Sequence, residues 1–377
     1  MTRQHVCRSA ARQLADARLD DVRVTIGLDG FVDEICDLVD TRADFRHYTP
    51  MDTIATFGRK VLAAAGHSSN YELVVKQMKL GGNGPIMANA LAMLGLRVTY
   101  VGATGYPTRH PVFDDFATRA EVLGFSDPGH TDAVEFRDGK LMLGKLTPLA
   151  EVTWDHLVSR VGVELFIERV QAARLIAANN WTMVPQMTGL LEGIRDHVLP
   201  KLTGPRKIFF VDLADPEKRR REDLLAVLRV LSGLQPYVDV TLGLNLKESV
   251  QVAVALGLPV PGEPEKAVVE LARSIRRTLS LHGVVIHPRA SAAAAVAAPG
   301  GDDVAHFDGP FIREPRLSTG AGDHFNAGFA LGRILGATLA ESLCLGVATS
   351  GFYVRQAASP TQKQLAHFVE NLPDPEM

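Results

Sequence analysis

The sequence has few of the features that mark metal-cluster, membrane or secreted proteins. Its 377 residues contain only three cysteines, Cys7, Cys36 and Cys344, which lie far apart with no paired spacing and so argue against a cysteine zinc cluster. No apolar segment is long enough to cross a bilayer, and residues 1–21 lack the apolar core of a signal peptide. We therefore expect a cytoplasmic protein with reduced thiols and no membrane partner.

The sequence also lacks an excess of basic over acidic residues and the common nucleotide-binding signatures. The formal net charge is −3, and acids flank the densest basic cluster, residues 218–221, so no nucleic-acid partner is expected. The segment Gly82-Asn83-Gly84 lacks the third glycine of a dinucleotide fingerprint, because Met87 stands in its place. No phosphate-loop motif ending in Gly-Lys-Ser/Thr occurs, so both common signatures fail.

What the chain does contain is a regular alternation of strand and helix patterns. With 46% hydrophobic residues, an ordinary share for a globular protein, this rhythm predicts an α/β fold with a mostly parallel, doubly wound sheet. No linker separates two domains, so residues 1–377 are predicted to form one. The predicted strands are residues 22–26, 71–80, 97–102, 174–178, 208–212, 238–242 and 284–286.

Four other segments carry local predictions. Residues 133–143 form two alternating runs around an Asp-Gly turn, which predicts a hairpin in a small β layer beside the main sheet. Residues 3–19 read as a surface helix, and Asp215-Pro216 is predicted to open a helix of about four turns. The alanine-rich residues 290–300 read as a surface element without a functional role.

The most informative stretch is residues 316–332, in which Gly320-Ala321-Gly322-Asp323 precedes a helix pattern. A helix start carries unpaired N–H groups and partial positive charge, and glycines let an anion approach the backbone closely. Asp323 then follows where it can accept a proton from a nucleophile beside that anion. The combination fits phosphoryl transfer, although alone it is equally a tight turn with Asp323 complementing the helix dipole.

Three further polar motifs lie where predicted strands end. Asp29 and Asp33 leave the first strand, and Asn83 lies in the glycine turn of a predicted βαβ unit, so these side chains can reach a cleft at the sheet edge. Taken alone, Asp29 and Asp33 are better explained as turn and surface residues. Asn245 and Glu248 start a helix, and alone their spacing is that of a capping box.

In this order and spacing, the four motifs resemble the ribokinase-like carbohydrate kinases, also called the PfkB family. Residues 355–360 look like the closing loop of that family, so the resemblance runs from about residue 22 to residue 360. It implies a Rossmann-like α/β domain with a small β-sheet lid over the sugar site, with lid segments at about 29–45 and 131–146. It also implies an ATP-dependent phosphotransferase that acts on a hydroxyl of a sugar or similar polyol.

The resemblance also implies roles for individual residues. Asp323 would be the general base, and the amides of Gly320, Ala321 and Gly322 would form the anion hole for the transferred phosphoryl group. The residues that would face the sugar are Asp29, Asp33, Gly82 and Asn83. The residues that would serve ATP are Asn245, Glu248 and Thr319, with Glu248 helping to hold Mg²⁺ through water.

Two departures from the family pattern affect the cofactors. Leu317 stands where many members have an Asp or Asn whose side chain helps to hold a monovalent cation, and leucine has no side-chain oxygen. We therefore expect no K⁺ requirement. In the family, the strand that corresponds to residues 284–286 normally leads into a glycine-containing turn that lines the ATP site. In this sequence His287-Pro288-Arg289 follows instead. The nucleotide is then expected to be held differently, with Arg289 either near phosphate or an ordinary loop cation.

Several alternatives stay open at this point. A nucleoside kinase of the same family would need a slot for the base, for which Phe31 and Trp181 are candidates unless they only pack the core. A phosphosugar substrate would need a basic clamp, for which Arg137 and Lys145 are candidates unless they are merely solvated. A non-catalytic sugar- or nucleotide-binding protein on the kinase fold is the alternative from another class.

The sequence leaves the oligomeric state unfixed as well, although members of the family often form homodimers through the lid sheet. Three polar residues close to the motifs are interpreted as structural and not as site residues: Asp212, Asp215 and His324.

Overall fold

The computed structural model describes residues 2–376 and contains two sheets with helices around them. Within that range the strands are, in chain order, β1 (Arg23–Leu28), β2 (Phe31–Arg42), β3 (Tyr48–Pro50), β4 (Leu73–Gly81), β5 (Arg97–Gly102), β6 (Ala120–Gly124), β7 (Gly129–Phe136), β8 (Gly139–Lys145), β9 (Leu175–Asn179), β10 (Ile208–Asp212), β11 (Asp239–Leu244), β12 (Gly283–Ile286), β13 (Ser291–Ala298) and β14 (Gly301–Asp308). The helices are α1 (Arg3–Asp16), α2 (Ile54–Ala63), α3 (Asn83–Met93), α4 (Asp114–Ala117), α5 (Trp154–His156), α6 (Val163–Ala172), α7 (Met187–His197), α8 (Arg221–Leu234), α9 (Leu246–Ala255), α10 (Val268–Leu279), α11 (Ala321–Ile334), α12 (Leu339–Gln356) and α13 (Gln362–Glu370).

The main sheet has nine strands in the order β14-β13-β12-β11-β10-β9-β1-β5-β6. Every pair from β12 to β6 is parallel, and β13 near one edge pairs antiparallel with both β12 and β14. Because these strands run in the same direction, the carboxyl ends of β1, β9, β10 and β11 lie at one edge of the sheet, where ligands bind in open α/β folds.

Helices cover both faces of this sheet, and each face has its own apolar core. One core packs side chains of α6 to α10 against the sheet, and the other packs α1, α3, α11, α12 and α13 against the opposite face. This arrangement confirms the predicted doubly wound, mostly parallel sheet.

Two of the helices on the second face, α11 and α12, approach each other closely. A Cβ atom built on Gly328 of α11 would lie 2.4 Å from the Leu345 carbonyl oxygen of α12, so no larger residue fits there without a shift of backbone. Thr338 and Glu341 begin α12 with a capping box, which satisfies main-chain N–H groups at its start. The glycine thus allows the middle of α11 to pack closely against α12.

The second sheet is smaller and contains β3, β2, β7 and β8 in that order. Strand β4 pairs with the part of β2 that precedes its pairing with β3. Strands β7 and β8 form the predicted hairpin, in which Phe136 pairs with Gly139 around the Asp-Gly turn. Only two residues, Asp29 and Gly30, separate the end of β1 from the start of β2, and they join the two sheets.

Two local predictions are wrong. The alanine-rich segment is not a surface element, because β13 lies inside the main sheet between β12 and β14 and its residues 292–295 are fully buried. The helix predicted from Asp215-Pro216 begins only at Arg221, after a short 3₁₀ turn at Pro216–Lys218, because Asp215 has a left-handed backbone (φ 63°) and cannot act as an ordinary cap. The surface helix predicted at residues 3–19 is present as α1, which ends three residues earlier at Asp16 and packs one face on the core.

Two of the three distant cysteines meet in the fold. Cys7 of α1 and Cys344 of α12 are both buried, with their sulfur atoms 3.7 Å apart and no disulfide between them. This contact is part of the packing of α1 against α12. In the described range of the chain, no helix combines the length and apolar character that a transmembrane span requires.

Candidate active site

Three cavities adjoin one another where the carboxyl ends of the central strands meet the small sheet. We call residues 319–322 the glycine turn, and the three cavities surround it. The central cavity has a volume of about 480 Å³ and contacts Thr319, Gly320 and Asp323. The side cavity, about 340 Å³, contacts Ala321 and Gly322. The back cavity, about 500 Å³, contacts Thr319 from the remaining side.

Asp323 lies in the first turn of α11 and faces the central cavity. The turn before it needs a glycine, since Gly320 has a left-handed backbone (φ 90°) that other residues adopt only with strain. The side chain is 5% exposed, and the Asn83 side-chain amide donates to its Oδ1 at 2.9 Å. Burial, followed by the charge of Asp212, raises the pKa of Asp323 well above its usual value, and the bond from Asn83 opposes that rise.

The main-chain amides of the glycine turn differ in their availability. The N–H of Ala321 donates to the Ser318 carbonyl at 3.1 Å, whereas those of Gly320 and Gly322 donate to no protein atom between residues 2 and 376. A helix N-terminus with free N–H groups favours an anion. In this conformation Gly320 and Gly322 are therefore the free donors of the predicted anion hole, and Ala321 is engaged.

Asp29 is fully buried between the two sheets and does not border any of the three cavities. Its two carboxylate oxygens accept the N–H groups of Asn83 and Gly84 at 2.9 Å each, and Oδ2 also accepts from the Asn180 side chain at 2.7 Å. Although burial raises the pKa of Asp29 to about 6, these donors satisfy the ionised form. Asp29 thus anchors the start of α3 and places Asn83 beside Asp323, a different role from the sugar contact expected of it.

Asp33, by contrast, reaches the central cavity from near the start of β2. Burial raises the pKa of its carboxyl group, while the charge of Lys79 and a hydrogen bond from Thr131 oppose the rise. Gly82 and Asn83 border the same cavity. Three of the four residues expected to face a sugar therefore lie around one space that also contains Asp323.

Asn245 and Glu248 are brought together at the start of α9, where they form a capping box. The Asn245 side chain accepts the Glu248 N–H at 3.0 Å, and Glu248 Oε2 accepts the Asn245 N–H at 2.8 Å. Glu248 Oε1 also accepts the N–H of Asp215 at 2.8 Å. Glu248 borders the central cavity and Asn245 the side cavity, so the capping box itself fixes where the carboxylate lies.

The carboxylates suit a divalent cation held through water better than one bound directly. Among residues 2–376, no three acidic, histidine or cysteine side chains are close enough together to form a direct metal site. Burial, followed by the charge of Asp212, raises the pKa of Glu248 to about 7, so a nearby cation would offset real repulsion. Each Glu248 oxygen accepts one N–H and keeps a second lone pair, which can accept from a metal-bound water.

The structure adds polar residues that we had interpreted as structural or not considered. Asp212 ends β10 and is buried beneath the site, where Asn326 of α11 donates to its Oδ2 at 2.6 Å. Its position at the carboxyl end of a parallel strand is the same signal that identified Asp29 and Asp33. Asn180 follows β9 in the same way, and both it and Asp215 border the central cavity.

The departure at residues 287–289 forms part of the side cavity. His287 packs against Phe325, with ring centroids 4.7 Å apart, and burial lowers its pKa to about 4. Arg289 lies over the Phe311 ring at 5.6 Å. The side cavity thus combines an apolar wall with the amide of Gly322 and one arginine.

The remaining candidates are engaged elsewhere. Arg137 pairs with Asp52, and Lys145 pairs with Asp132, at 2.7 and 2.8 Å. Trp181 is fully buried and donates its indole N–H to Thr188. Phe31, at 6% exposure, does border the central cavity, together with Met142, Leu146 and Met183.

The chain as a whole is similar in sequence to known proteins. Residues 1–372 match the sequence profile described as prokaryotic ketohexokinase. A ketohexokinase from Haloferax volcanii is 31% identical over 372 residues, which cover 97% of this chain and 95% of the relative.

Solved structures with the same fold include a ribokinase from Arabidopsis thaliana complexed with ribose and ATP and an adenosine kinase from Sinorhizobium meliloti. The first has a TM-score of 0.58 at 15% identity and covers 92% of this chain and 98% of its own. The second has a TM-score of 0.60 at 18% identity and covers 93% and 98%. At such identities the structural matches support the fold alone.

Proposed function

The chain belongs to the prokaryotic ketohexokinase family and is a carbohydrate kinase, and from this premise we propose that it transfers the γ-phosphoryl group of ATP to a hydroxymethyl group of a ketohexose. The family confirms the resemblance to ribokinase-like kinases that the motifs indicated. The specific substrate, the use of ATP and the residue roles below are the proposal.

One observation carries the assignment of roles: the glycine turn and Asp323 lie between two cavities. The central cavity borders Asp323 and Gly320, and the side cavity borders Gly322. A sugar in the central cavity and a nucleotide in the side cavity would therefore meet at this turn. In-line phosphoryl transfer needs the acceptor oxygen and the leaving oxygen of ADP on opposite sides of the transferred phosphorus atom, and two cavities that meet at one point allow this arrangement.

The central cavity has the chemistry of a sugar site. Asp33, Asn83 and Asn180 offer acceptors and donors for hydroxyl groups, whereas Phe31 and Met142 of the small sheet offer apolar surface for the ring face. This division supports the proposal that the small sheet acts as a lid, with segments at about 29–45 and 131–146. Of the two aromatic candidates for a nucleoside base, Phe31 borders this cavity and Trp181 is fully buried.

Asp323 acts as the general base in this proposal. Its raised pKa makes the carboxylate a stronger proton acceptor, and Asn83 keeps one oxygen oriented. The proton of the attacked hydroxyl passes to Asp323, while the N–H groups of Gly320 and Gly322 stabilise the charge on the transferred phosphoryl group. Gly322, Asn245 and Arg289 border the space for the phosphate chain.

Glu248 and Asn245 would hold Mg²⁺ through water at the start of α9. The ion supplies neutralisation of the triphosphate charge when it is bound. Glu248 contributes a carboxylate of fixed direction, because two main-chain N–H groups hold it. Thr319 is the further residue proposed to contact the nucleotide side of the turn.

A coupled assay of ADP release tests the proposal. Purified protein with MgATP should turn over a ketohexose such as fructose at least about tenfold faster in kcat/KM than an aldohexose, a pentose or a nucleoside. Preference for a nucleoside would replace the substrate assignment, and ATP binding without sugar-dependent ADP release would support the non-catalytic alternative.

A further inference from the structure

Two aromatic side chains hold the glycine turn from its back side. The Tyr353 hydroxyl donates to the Thr319 carbonyl at 2.8 Å, and His324 Nδ1 contacts the Gly320 carbonyl at 2.7 Å. Both side chains border the back cavity, on the side of the turn away from the proposed phosphate. Neither contact belongs to the set of roles assigned above.

The protonation of His324 follows from its partners. A carbonyl oxygen can only accept, so Nδ1 carries the proton, and Nε2 then accepts from the Ser359 hydroxyl at 2.8 Å. Burial lowers the pKa of His324 to about 4, so the ring is neutral at physiological pH. Burial also raises the pKa of Tyr353, which keeps its hydroxyl a donor. Both donors persist throughout the pH range in which an enzyme of this kind is assayed.

The two rings also fix each other. They stack with centroids 3.6 Å apart and planes 15° from parallel, and their exposed fractions are only 2% and 8%. His324 belongs to α11 and Tyr353 to α12, which the close approach at Gly328 holds together. The donors therefore have little freedom to leave the carbonyl groups.

Holding these carbonyls directs the amides on the opposite side. A trans peptide is planar, so its C=O and N–H point in opposite directions. The Thr319 carbonyl shares its peptide with the Gly320 N–H, and the Gly320 carbonyl shares its peptide with the Ala321 N–H. A hydrogen bond to the carbonyl also polarises the N–H of the same peptide. Tyr353 thus aims and strengthens the N–H of Gly320, which borders the central cavity, whereas His324 holds the next peptide, from Gly320 to Ala321, so that Gly320 is fixed from both sides.

We propose that His324 and Tyr353 form a positioning clamp that presets the amides of the glycine turn for the transition state of phosphoryl transfer. The inference rests on the proposed function. In this role His324 does more than fill space in the core, which is how the sequence alone is interpreted. The two side chains keep the glycine turn rigid. Leu317, which offers no side-chain oxygen for a cation, is compatible with such a device.

Variants of His324 separate positioning from packing. The Asn side chain places a donor amide where His Nδ1 lies and can still reach the Gly320 carbonyl, whereas Gln places its amide near the former Nε2 and reaches only Ser359. Both variants lose the aromatic stack. We expect His324→Asn to retain kcat within about threefold and His324→Gln to lose about tenfold or more, because only the second loses the carbonyl contact.

Tyr353→Phe gives an independent measurement, since it keeps the stack and removes one donor. Its kcat should fall about tenfold, with the sugar KM changed by less than about threefold, because the amides act mainly in the transition state. Tyr237→Phe, at an exposed tyrosine remote from the cavities, is the matched control and should match the wild type.

The outcomes distinguish the clamp from the proposed function. A wild-type protein without sugar-dependent ADP release would overturn the function itself. An active wild type in which His324→Asn and His324→Gln lose activity equally, or in which Tyr353→Phe keeps full kcat, would overturn the clamp and leave the function standing.

Discussion

The hydrogen bond between Asn83 and Asp323 gives a prediction about pH. Replacing Asn83 by alanine removes the donor to Asp323 Oδ1, while the main-chain N–H of residue 83 still reaches Asp29. Without that donor, a carboxyl group whose pKa is already raised by burial becomes harder to ionise. The pKa of Asp323 should therefore rise further in Asn83→Ala.

The size of the effect follows from the strength of the lost bond. A hydrogen bond to a charged group contributes about 1.5–3 kcal/mol, which corresponds to about 1–2 pKa units. The proposed base must be ionised to accept a proton, so the acid limb of the kcat/KM profile should move upward by that amount. Activity should be reduced most at low pH and should recover as pH rises.

The assay is the initial rate of sugar-dependent ADP release between pH 5.5 and 9 at constant ionic strength. Asn89→Ala is a matched control on the same helix, because its side chain accepts from Arg119 and does not contact Asp323. The control should keep the wild-type acid limb. An Asn83→Ala profile that is lower at every pH but has an unmoved acid limb would refute the reasoning.

Three further results are expected. Gly320→Ala should lose about 1–2 kcal/mol of unfolding free energy, because residue 320 has a left-handed backbone, and should also lose most of its kcat. Gly336→Ala changes another left-handed glycine (φ 70°) with open space around it, so it should lose similar stability and keep its activity. Equal kcat in the two variants would contradict this. Burial raises the pKa of Glu248 to about 7, so the stability that this group contributes is present below pH 4.5 and is lost as pH rises through 7. In urea unfolding from pH 4 to pH 8, Glu248→Gln should therefore lose less stability than the wild type, by up to about 3 kcal/mol. The Mg²⁺ concentration that gives half-maximal activity should rise in the same variant. Because of Leu317, kcat should be the same in K⁺, Na⁺ or tetramethylammonium chloride at equal ionic strength, and a large stimulation by K⁺ would refute that expectation.

The main sheet could be predicted because its strands and helices alternate with clear periodicity. The hairpin around Asp138-Gly139 could be predicted because its turn type requires those residues. The position of β13 could not, since a run of alanines has no period that distinguishes a buried strand from a surface segment. Its burial depends on neighbours that lie far away in the chain.

The candidate site shows the same division. Strand ends predicted that Asp33 and Asn83 can reach a cleft, and the family resemblance implied that Glu248 and Asp323 belong to the same site. All four border one cavity in the structure. Whether a side chain faces that cavity or supports it from below depends on the tertiary fold, so the burial of Asp29 could not be deduced. Their catalytic roles stay predictions until they are measured.

Contacts between distant segments were out of reach for a related reason. His324 meets Ser359, and Cys7 meets Cys344, across separations of 35 and 337 residues. A single sequence contains no signal for such pairs, because neither local spacing nor composition depends on them. The contacts from which we propose the clamp on the glycine turn are therefore visible only in the structure.

The central claim is that Asp323 accepts the proton of a ketohexose hydroxyl during phosphoryl transfer from ATP. The most direct test compares fructose-dependent ADP release by the wild type and by Asp323→Asn, which keeps the shape of the side chain and removes the proton acceptor. ADP binding and thermal unfolding establish that the variant is folded. The account predicts a loss in kcat of at least about 10²-fold with ADP binding preserved. A folded variant that turns over at nearly the wild-type rate would contradict it.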